Sequence, residues 1–492
     1  MGERNLQLFV LFATGKALAT LLGVVVAALV GRLLGPRGLG EWTLIVAAGT
    51  LLHTALVNWT HASTVRFGRE EWVRDRNLSR TLHARFPLVA CGVAAAVLLL
   101  SLQPAHWLQW WFAVDSSNWW LVALCALSVW LAAEAQATMQ ASDQFLRQAI
   151  LAPTVVALAV LGLLGLLWFG HRSLQAAIIV MTVLPIIGWG GAWLQTVWRS
   201  RTRVNQVVLA DVAQHLRYGW PMLPGFALGY VSAWGDQVLL SRWSSVTQVG
   251  LFGLSYQFLI AVMSANGVLT TFLLPWLIRR EVERPGAMRD YVAEIVPTVY
   301  ALWMVGTVWV VAILPAMVVA LTGRGFDDSR GVLLILLVAV PSSVVMSLYT
   351  LLFDIQRRLG RIVLYLIPAT IANFAVCLLL MPTYGAAAAA IGTALSFIVG
   401  QAFYIWDQHR HLAVPARRVW GLWAFGMVLG LAQAVVGPGT TVRIAWAIIA
   451  TVTVSVIARS AACVDRSLVT RLFGGRFRPL AALINRVLVA GT

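Results

Sequence analysis

Fourteen apolar stretches run through this chain, and they restrict its fold more than any other feature of the sequence. A helix needs about 20 apolar residues to cross a hydrocarbon layer of ~30 Å. Unpaired backbone amides are unstable in lipid, so we expect helices and not strands of an open sheet. The predicted spans cover about 6–30, 41–62, 86–103, 118–138, 148–169, 174–198, 218–240, 249–277, 291–320, 331–352, 362–381, 384–406, 418–436 and 441–459.

The composition agrees with an all-α polytopic membrane protein. Hydrophobic residues make up 60% of the 492 residues and charged residues only 11%, whereas a soluble domain has roughly 25% charged residues. The longest predicted connection, about 63–85, is too short for a soluble catalytic domain. We therefore do not expect an enzyme.

Basic residues are concentrated in every second connection, which predicts the orientation in the membrane. With the N-terminus in the cytoplasm, 28 of the 36 Arg and Lys residues lie in cytoplasmic segments and 7 in outer segments. Basic residues are retained on the cytoplasmic side, so both termini are expected there. The net charge of +17 mostly reflects this bias, and the basic residues can also bind anionic membrane lipids. We therefore expect no nucleic-acid partner.

A faint internal repeat suggests that the chain has two halves. Pro153 and Gly170, 17 residues apart, recur as Pro368 and Gly385 at an offset of 215. Six spans in each half would give the two copies the same orientation, which is a known transporter layout with the site between the halves.

A second match in the repeat pairs Gly40 with Gly250 at an offset of 210, and a rival register shifts this match to 215. We therefore predict two parallel six-helix bundles, 1–205 and 206–410. The segment 411–492 is predicted to hold two additional transmembrane helices and a basic cytoplasmic tail.

Lys16 lies near the middle of the first span and is the only Lys in the protein. An ionisable group at that depth costs at least ~2.5–3.5 kcal/mol, so it should face protein or water. Ala19, Thr20 and Gly23 share its helical face. Lys16 could bind an anion in a central cavity, or it could pair with a carbonyl or carboxylate of another span.

The second span carries a polar stripe of Thr50, Thr54, Asn58 and His61, with His53 beside it. Such a stripe could line an aqueous cavity, in which Asn58 and His61 would bind the substrate headgroup, or it could form hydrogen bonds with a neighbouring helix. A metal site is not expected, because no carboxylate lies on that face.

The seventh span begins at Arg217 and contains Pro221 and Pro224, which are expected to break or bend the helix. It also carries Asp236 and ends near Arg242. Bent helices beside a cavity are typical of transporters, so the prolines are candidate hinges. Asp236 could serve in function, or it could pair or cap at the outer interface.

Three further polar residues lie within predicted spans. Glu134 could couple proton movement, or it could pair with Arg147 at the cytoplasmic surface. Asn266 and Asn373 could contact substrate, although Asn often joins neighbouring membrane helices. No Gly-rich phosphate-binding loop with Lys and Ser or Thr is present, so no ATPase module is expected.

Three segments resemble the Wzx-type polysaccharide flippases. They are the connection 31–40 with its Leu-Gly-Pro turn, the run 236–252 from Asp to Gly-Leu-Phe, and Asn373 with 381–390, Met-Pro-Thr-Tyr-Gly before five Ala. The likeness covers nearly the whole chain by span count, with departures at Leu39, Phe252 and Ala388. The chain is similar to the polysaccharide transporter family of the multidrug/oligosaccharidyl-lipid/polysaccharide exporter superfamily.

The resemblance implies a flippase of the bacterial cytoplasmic membrane, with no cofactor. It would move undecaprenyl-pyrophosphate-linked oligosaccharide repeat units to the outer leaflet for surface polysaccharide such as O-antigen, or for exopolysaccharide. A polysaccharide polymerase and a chain-length regulator would be partners. Alternating access of the two bundles would carry the headgroup through a cationic cavity.

A buried pyrophosphate needs opposite charge nearby. Candidates to bind the headgroup are Lys16, Arg217 and Arg242, while Asp236 and Glu134 would order these cations or couple protons. The alternatives are a lipid II flippase and a drug or cation antiporter, which would need an acidic cavity. A membrane glycosyltransferase or polymerase would need carboxylates and a sizeable outer loop, which the sequence lacks.

Overall fold

Within residues 3–102, 104–199, 208–435 and 440–460, which the computed structural model describes, every regular element is helical. The α-helices are α1 (Glu3–His53), α2 (Trp59–Asp75), α3 (Ser79–Leu102), α4 (Pro104–Phe112), α5 (Trp119–Ala141), α6 (Phe145–Trp168), α7 (Leu174–Arg199), α8 (Leu209–Gly219), α9 (Leu223–Trp243), α10 (Val246–Glu283), α11 (Ala287–Asp290), α12 (Val296–Thr322), α13 (Ser329–Leu337), α14 (Val340–Ile355), α15 (Leu359–Tyr384), α16 (Ala386–Leu412), α17 (Arg417–Val435) and α18 (Thr440–Ser460).

The protein has an all-α polytopic membrane fold, as predicted. In the described part of the chain, nine helices are long and apolar enough to cross a membrane. The pair α13 and α14, bent by 41°, can supply a tenth. The predicted count of fourteen spans is not confirmed.

The first two predicted spans belong to one long helical stretch. The part Thr14–Asp75 has 62 residues, which at 1.5 Å per residue is about 93 Å along the helix, or roughly three hydrocarbon thicknesses. The helix breaks at Gly35, whose φ of 71° is left-handed, just before Pro36. This break separates the two predicted spans.

The predicted connection 63–85 is largely helical. The π-helical turn Thr54–Asn58 leads directly into α2, which continues to Asp75, and α3 begins at Ser79. The side chain of Asn77 caps the start of α3 by accepting hydrogen bonds from the amides of Leu78 and Ser79 at 2.7 and 3.2 Å. The apolar pattern missed these helical ends because they are polar.

The chain divides into two compact units. Unit 1 comprises Met1–Gln257 and Leu380–Ala386, and unit 2 comprises Phe258–Leu379 and Ala387–Thr492. In unit 1, α1 packs on α5 and α6, α7 packs on α5, and α8 packs on α2 and α3. In unit 2, α12 is central and contacts α14, α17 and α18.

Two glycines that the repeat treats as equivalent adopt the same conformation. Gly170 follows α6 with a φ of 71°, and Gly385 follows α15 with a φ of 52°. Both end a helix in the left-handed region that favours glycine. Their helices contain Pro153 and Pro368 respectively. The repeat and the predicted bundle limits at 205 and 410 stay predictions.

Candidate functional site

A cavity of ≈ 390 Å³ lies beside Lys16 within unit 1, between α1, α5, α6 and α7. Lys16 is exposed, and its ammonium forms no ion pair or hydrogen bond with any residue that the structure describes. Ala19 and Thr20 line the same cavity, as their shared helical face predicts. The remaining lining residues are Phe12, Gln136, Gln140, Gln148, Ala149, Ala152, Val156 and Trp189.

Three glutamines supply most of the neutral polar lining of this cavity. Gln136 and Gln140 lie one turn apart on α5, and Gln148 comes from α6. Gln148 Nε2 donates to Gln136 Oε1 at 3.4 Å. Gln148 is only 5% exposed, and its Oε1 has no hydrogen-bond partner among the described residues. The cavity therefore combines one cation with an amide oxygen that can still accept a hydrogen bond.

A buried ion pair joins α3 to α5. Arg85 Nη1 donates to Glu134 Oε2 at 2.6 Å, and both side chains are 3% exposed. Arg85 Nε and Nη2 also donate to Thr60 Oγ1 at 2.8 and 2.7 Å. Trp130 Nε1 donates to Glu134 Oε1 at 3.1 Å. Burial of such a pair is tolerated because further hydrogen bonds satisfy both ions.

This pair corrects two expectations from the sequence. Arg85 lies inside unit 1 and not in an exposed connection. Glu134 does not pair with Arg147, which instead contacts Gln144 and Gln195. A role for Glu134 in proton coupling stays a prediction.

Two histidines extend the network in one direction. His61 Nδ1 lies 2.9 Å from Arg85 Nη2, and His61 Nε2 lies 3.1 Å from His53 Nε2. A guanidinium only donates, so His61 Nδ1 accepts, and neutral His61 carries its proton on Nε2. That proton points at His53 Nε2, which must accept it. The hydrogen bonds therefore run from Arg85 through His61 to His53.

One residue of the polar stripe of the second predicted span, His61, forms a hydrogen bond with the neighbouring helix α3, through Arg85. The π-helical turn Thr54–Asn58 lies between His53 and His61. Asn58 ends this turn and is half-buried. Neither Asn58 nor His61 lines the cavity beside Lys16, and their contact with substrate stays a prediction.

Helix α8 is held against α2 and α3 by two polar contacts. Arg80 Nε and Nη2 each donate to a carboxylate oxygen of Asp211 at 2.6 Å. His215 Nδ1 lies 2.8 Å from Ser63 Oγ. The hydrogen bonds from Arg80 lower the pKa of Asp211, and burial lowers the pKa of His215 to about 4. Arg217 is exposed near the end of α8 and does not line the cavity.

The two predicted hinge prolines lie where α8 gives way to α9. Pro221 is in the 3₁₀ turn Trp220–Met222, and Pro224 is the second residue of α9. A Pro is tolerated in the first turn of a helix because no intrahelical partner is lost there. The prolines thus divide the start of the predicted seventh span between two helices, and hinge motion stays a prediction.

The two charges predicted on the seventh span lie apart from Lys16. Asp236 is buried on α9 beside Gln237. Arg242 is exposed, and its guanidinium carbon lies 5.4 Å from the ring centre of Trp110 on α4. This distance suits a cation–π contact. Neither charge lines the cavity.

The two predicted asparagines belong to unit 2. Asn266 Nδ2 donates to Ser343 Oγ at 3.0 Å and so joins α10 to α14. Asn373 Oδ1 accepts a hydrogen bond from Cys377 Sγ at 3.4 Å and lies against Gly392 of α16. The Asn266–Ser343 hydrogen bond and the contact of Asn373 with Gly392 are typical of packing between membrane helices, and contact with a substrate stays a prediction.

The structure thus places one predicted cation, Lys16, in a cavity and gathers Glu134 and His61 around Arg85. Sequence reasoning missed Arg85 and the cavity glutamines. A carboxylate in an apolar span is expected to pair with an opposite charge. The position of Glu134 in a span therefore predicted a basic partner, which the structure shows to be Arg85.

The fold is similar to those of solved membrane transporters. It matches the lipid II flippase MurJ, in an inward closed conformation, with a TM-score of 0.72 and 11% identity over 91% of this chain and 98% of that one. It matches a mutant of the Vibrio cholerae MATE transporter VcmN with a TM-score of 0.52 and 15% identity, over 85% and 97% of the two chains. An inward-facing MATE family transporter of the MOP superfamily gives a TM-score of 0.50 and 13% identity, over 82% and 94%.

No protein-family model matches this sequence, and no curated protein matches it. These three solved structures share 11–15% identity with this chain. At that level they establish a MurJ-like and MATE-like helical membrane fold, and the function has to be argued from the site.

Proposed function

We propose that this protein is a flippase that moves undecaprenyl-pyrophosphate-linked oligosaccharide repeat units across the bacterial cytoplasmic membrane. The observation that carries the proposal is Lys16, a cation without an ionic partner among the described residues, in a cavity of a membrane bundle that three glutamines also line. An ammonium in such a place lowers the cost of bringing phosphate oxygens out of water.

The charge of the cavity separates this proposal from a drug or cation antiporter. The lining contains no carboxylate among the described residues. In unit 1, the membrane carboxylate Glu134 is already neutralised by Arg85. An anionic substrate therefore fits the cavity better than a cationic one.

The fold supports a lipid-linked substrate. The match to a lipid II flippase extends over 91% of the chain with a TM-score of 0.72. A lipid II flippase is the second candidate, because lipid II shares the pyrophosphate that Lys16 would bind. The resemblance of 31–40, 236–252 and 381–390 to Wzx-type flippases favours oligosaccharide repeat units.

In the proposed mechanism, the two predicted bundles alternate between inward-open and outward-open states, and the lipid tail stays in the membrane. Pro221 and Pro224 are proposed hinges. Arg217 and Arg242 lie away from the cavity and are proposed to meet the headgroup on entry and exit. Both termini are proposed to be cytoplasmic.

Deletion of the gene tests the proposal. Undecaprenyl-linked repeat units should accumulate on the inner leaflet, and surface polysaccharide should be lost. Lys16→Ala should fail to restore export, Lys16→Arg should restore part of it, and Arg172→Ala, an exposed control outside the cavity, should restore all of it. Accumulated lipid II with normal surface polysaccharide would favour the second candidate. Full export by Lys16→Ala would contradict a role of this cavity in binding the substrate.

A further inference from the structure

We propose that Gln136, Gln140, Gln148 and Trp189 form a saccharide subsite next to Lys16, which receives the sugar attached to the pyrophosphate. This inference rests on the proposed function and adds the residues that would recognise sugar. None of the four was expected from the sequence to contact substrate.

The glutamines supply the hydrogen-bonding capacity that sugar hydroxyls require. Each amide offers an acceptor oxygen and two donor hydrogens, and each hydroxyl can donate and accept. Gln136 and Gln140 point to the same side of α5 because they are four residues apart. A buried polar atom without a partner costs about 1–3 kcal/mol. A ligand hydroxyl that reached the buried, unpartnered Oε1 of Gln148 would therefore be favoured.

Trp189 supplies an apolar part of the cavity lining. It lines the cavity, and elsewhere it packs in a buried cluster with Ala135, Met139, Val155 and Ala192. The electron-rich face of an aromatic ring attracts weakly positive C–H groups. A sugar ring presents hydroxyls at its edge and C–H groups on its faces, which matches a cavity with amides and an indole in its lining.

The size of the cavity limits what it can hold. Its ≈ 390 Å³ lies at the small end of the ~300–1,000 Å³ that is usual for ligand pockets. It can therefore receive the sugar next to the phosphate and not a whole repeat unit. Recognition would depend on the first sugar, while the distal sugars remain outside this cavity.

Binding of short lipid probes to the purified full chain tests the subsite. The probes are farnesyl pyrophosphate and farnesyl pyrophosphates that carry glucose, galactose or N-acetylglucosamine. At least one glycosylated probe should bind about tenfold more tightly than the sugar-free probe. Gln140→Leu and Gln148→Leu should abolish this preference and leave the affinity for the sugar-free probe unchanged. Leucine suits a membrane helix, so these variants should fold.

Gln175→Leu is the matched control, because Gln175 is exposed on α7 and does not line the cavity. It should keep the sugar preference, and Lys16→Ala should weaken all four probes. The subsite is refuted if no sugar improves wild-type binding by more than about threefold, or if the Gln variants weaken the sugar-free probe equally. Failure of the wild type to bind any probe, together with full export by Lys16→Ala, would instead refute the proposed function.

Discussion

Gly40 and Gly250 pack against each other's helices within unit 1. A Cβ added at Gly250 would lie 3.0 Å from the backbone nitrogen of Gly40 and would overlap the carbonyl of Pro36. A Cβ added at Gly40 would overlap the carbonyl of Val246. The two glycines, which the sequence suggests are equivalent positions of a repeat, thus form one contact where α1 crosses α10.

Gly40→Ala should destabilise unit 1 by about 1–3 kcal/mol, because an extra methyl group forces the two backbones apart. Thermal unfolding of the purified protein in detergent, followed by tryptophan fluorescence, measures the effect. Gly165→Ala is the control, since nothing lies within 4 Å of its added Cβ. Equal melting temperatures for the two variants would contradict the close packing.

Arg85→Met should cost about 3–5 kcal/mol of stability, because it leaves the Glu134 carboxylate buried without its counter-ion. The double variant Arg85→Met/Glu134→Leu should recover much of this loss, since it removes both charges. Arg279→Met is the control and should change stability little, because the Arg279–Glu283 pair is exposed. Denaturant or thermal unfolding of all four proteins gives the comparison, and a double variant no more stable than Arg85→Met would contradict the pairing.

His61 should carry its proton on Nε2 and leave Nδ1 bare. Nitrogen NMR of protein labelled in histidine distinguishes the two tautomers, and the His61 signals are assigned by their loss in His61→Gln. In Arg85→Met the donor to Nδ1 is gone, so a mixture of tautomers should appear. A protonated Nδ1 in the wild type would show that the hydrogen bonds do not run from Arg85 to His53.

Docking of α8 should weaken on acidification. The pKa of His215 is lowered from 6.5 to about 4, so its contribution to stability is complete above pH 6.5 and is lost as the pH falls toward 4. The positive charge of Arg85 adds to this lowering, while Asp211 opposes it. The pKa of Asp211 is itself lowered, so its contribution persists to still lower pH.

Hydrogen–deuterium exchange of residues 209–219, corrected for intrinsic rates, measures the docking of α8. Protection in the wild type should be lower at about pH 5 than at about pH 7.5. His215→Gln removes the titrating group, so its protection should differ little between these two conditions. If His215→Gln lost as much protection at low pH as the wild type, another titratable side chain would be responsible for the weaker docking of α8.

Prediction from the sequence succeeded where a feature depends on residues that are close together in the sequence. The length and apolar character of the stretches predicted a helical membrane fold, and the helical face of Lys16 predicted Ala19 and Thr20 as its neighbours. It failed where polar helix ends extend beyond the apolar stretch, as in α2, because hydropathy carries no signal there. It also failed for Arg85 and Gln148, whose surroundings depend on helices that are distant in sequence.

The ion pair of Arg85 and Glu134 also has a consequence for biogenesis. Arg85 leaves the ribosome first, and Glu134 follows 49 residues later. A desolvated guanidinium without its counter-ion costs several kcal/mol, so α3 gains its final place only after α5 arrives. Packing of α3 within unit 1 is therefore expected to be completed only after α5 has been synthesised.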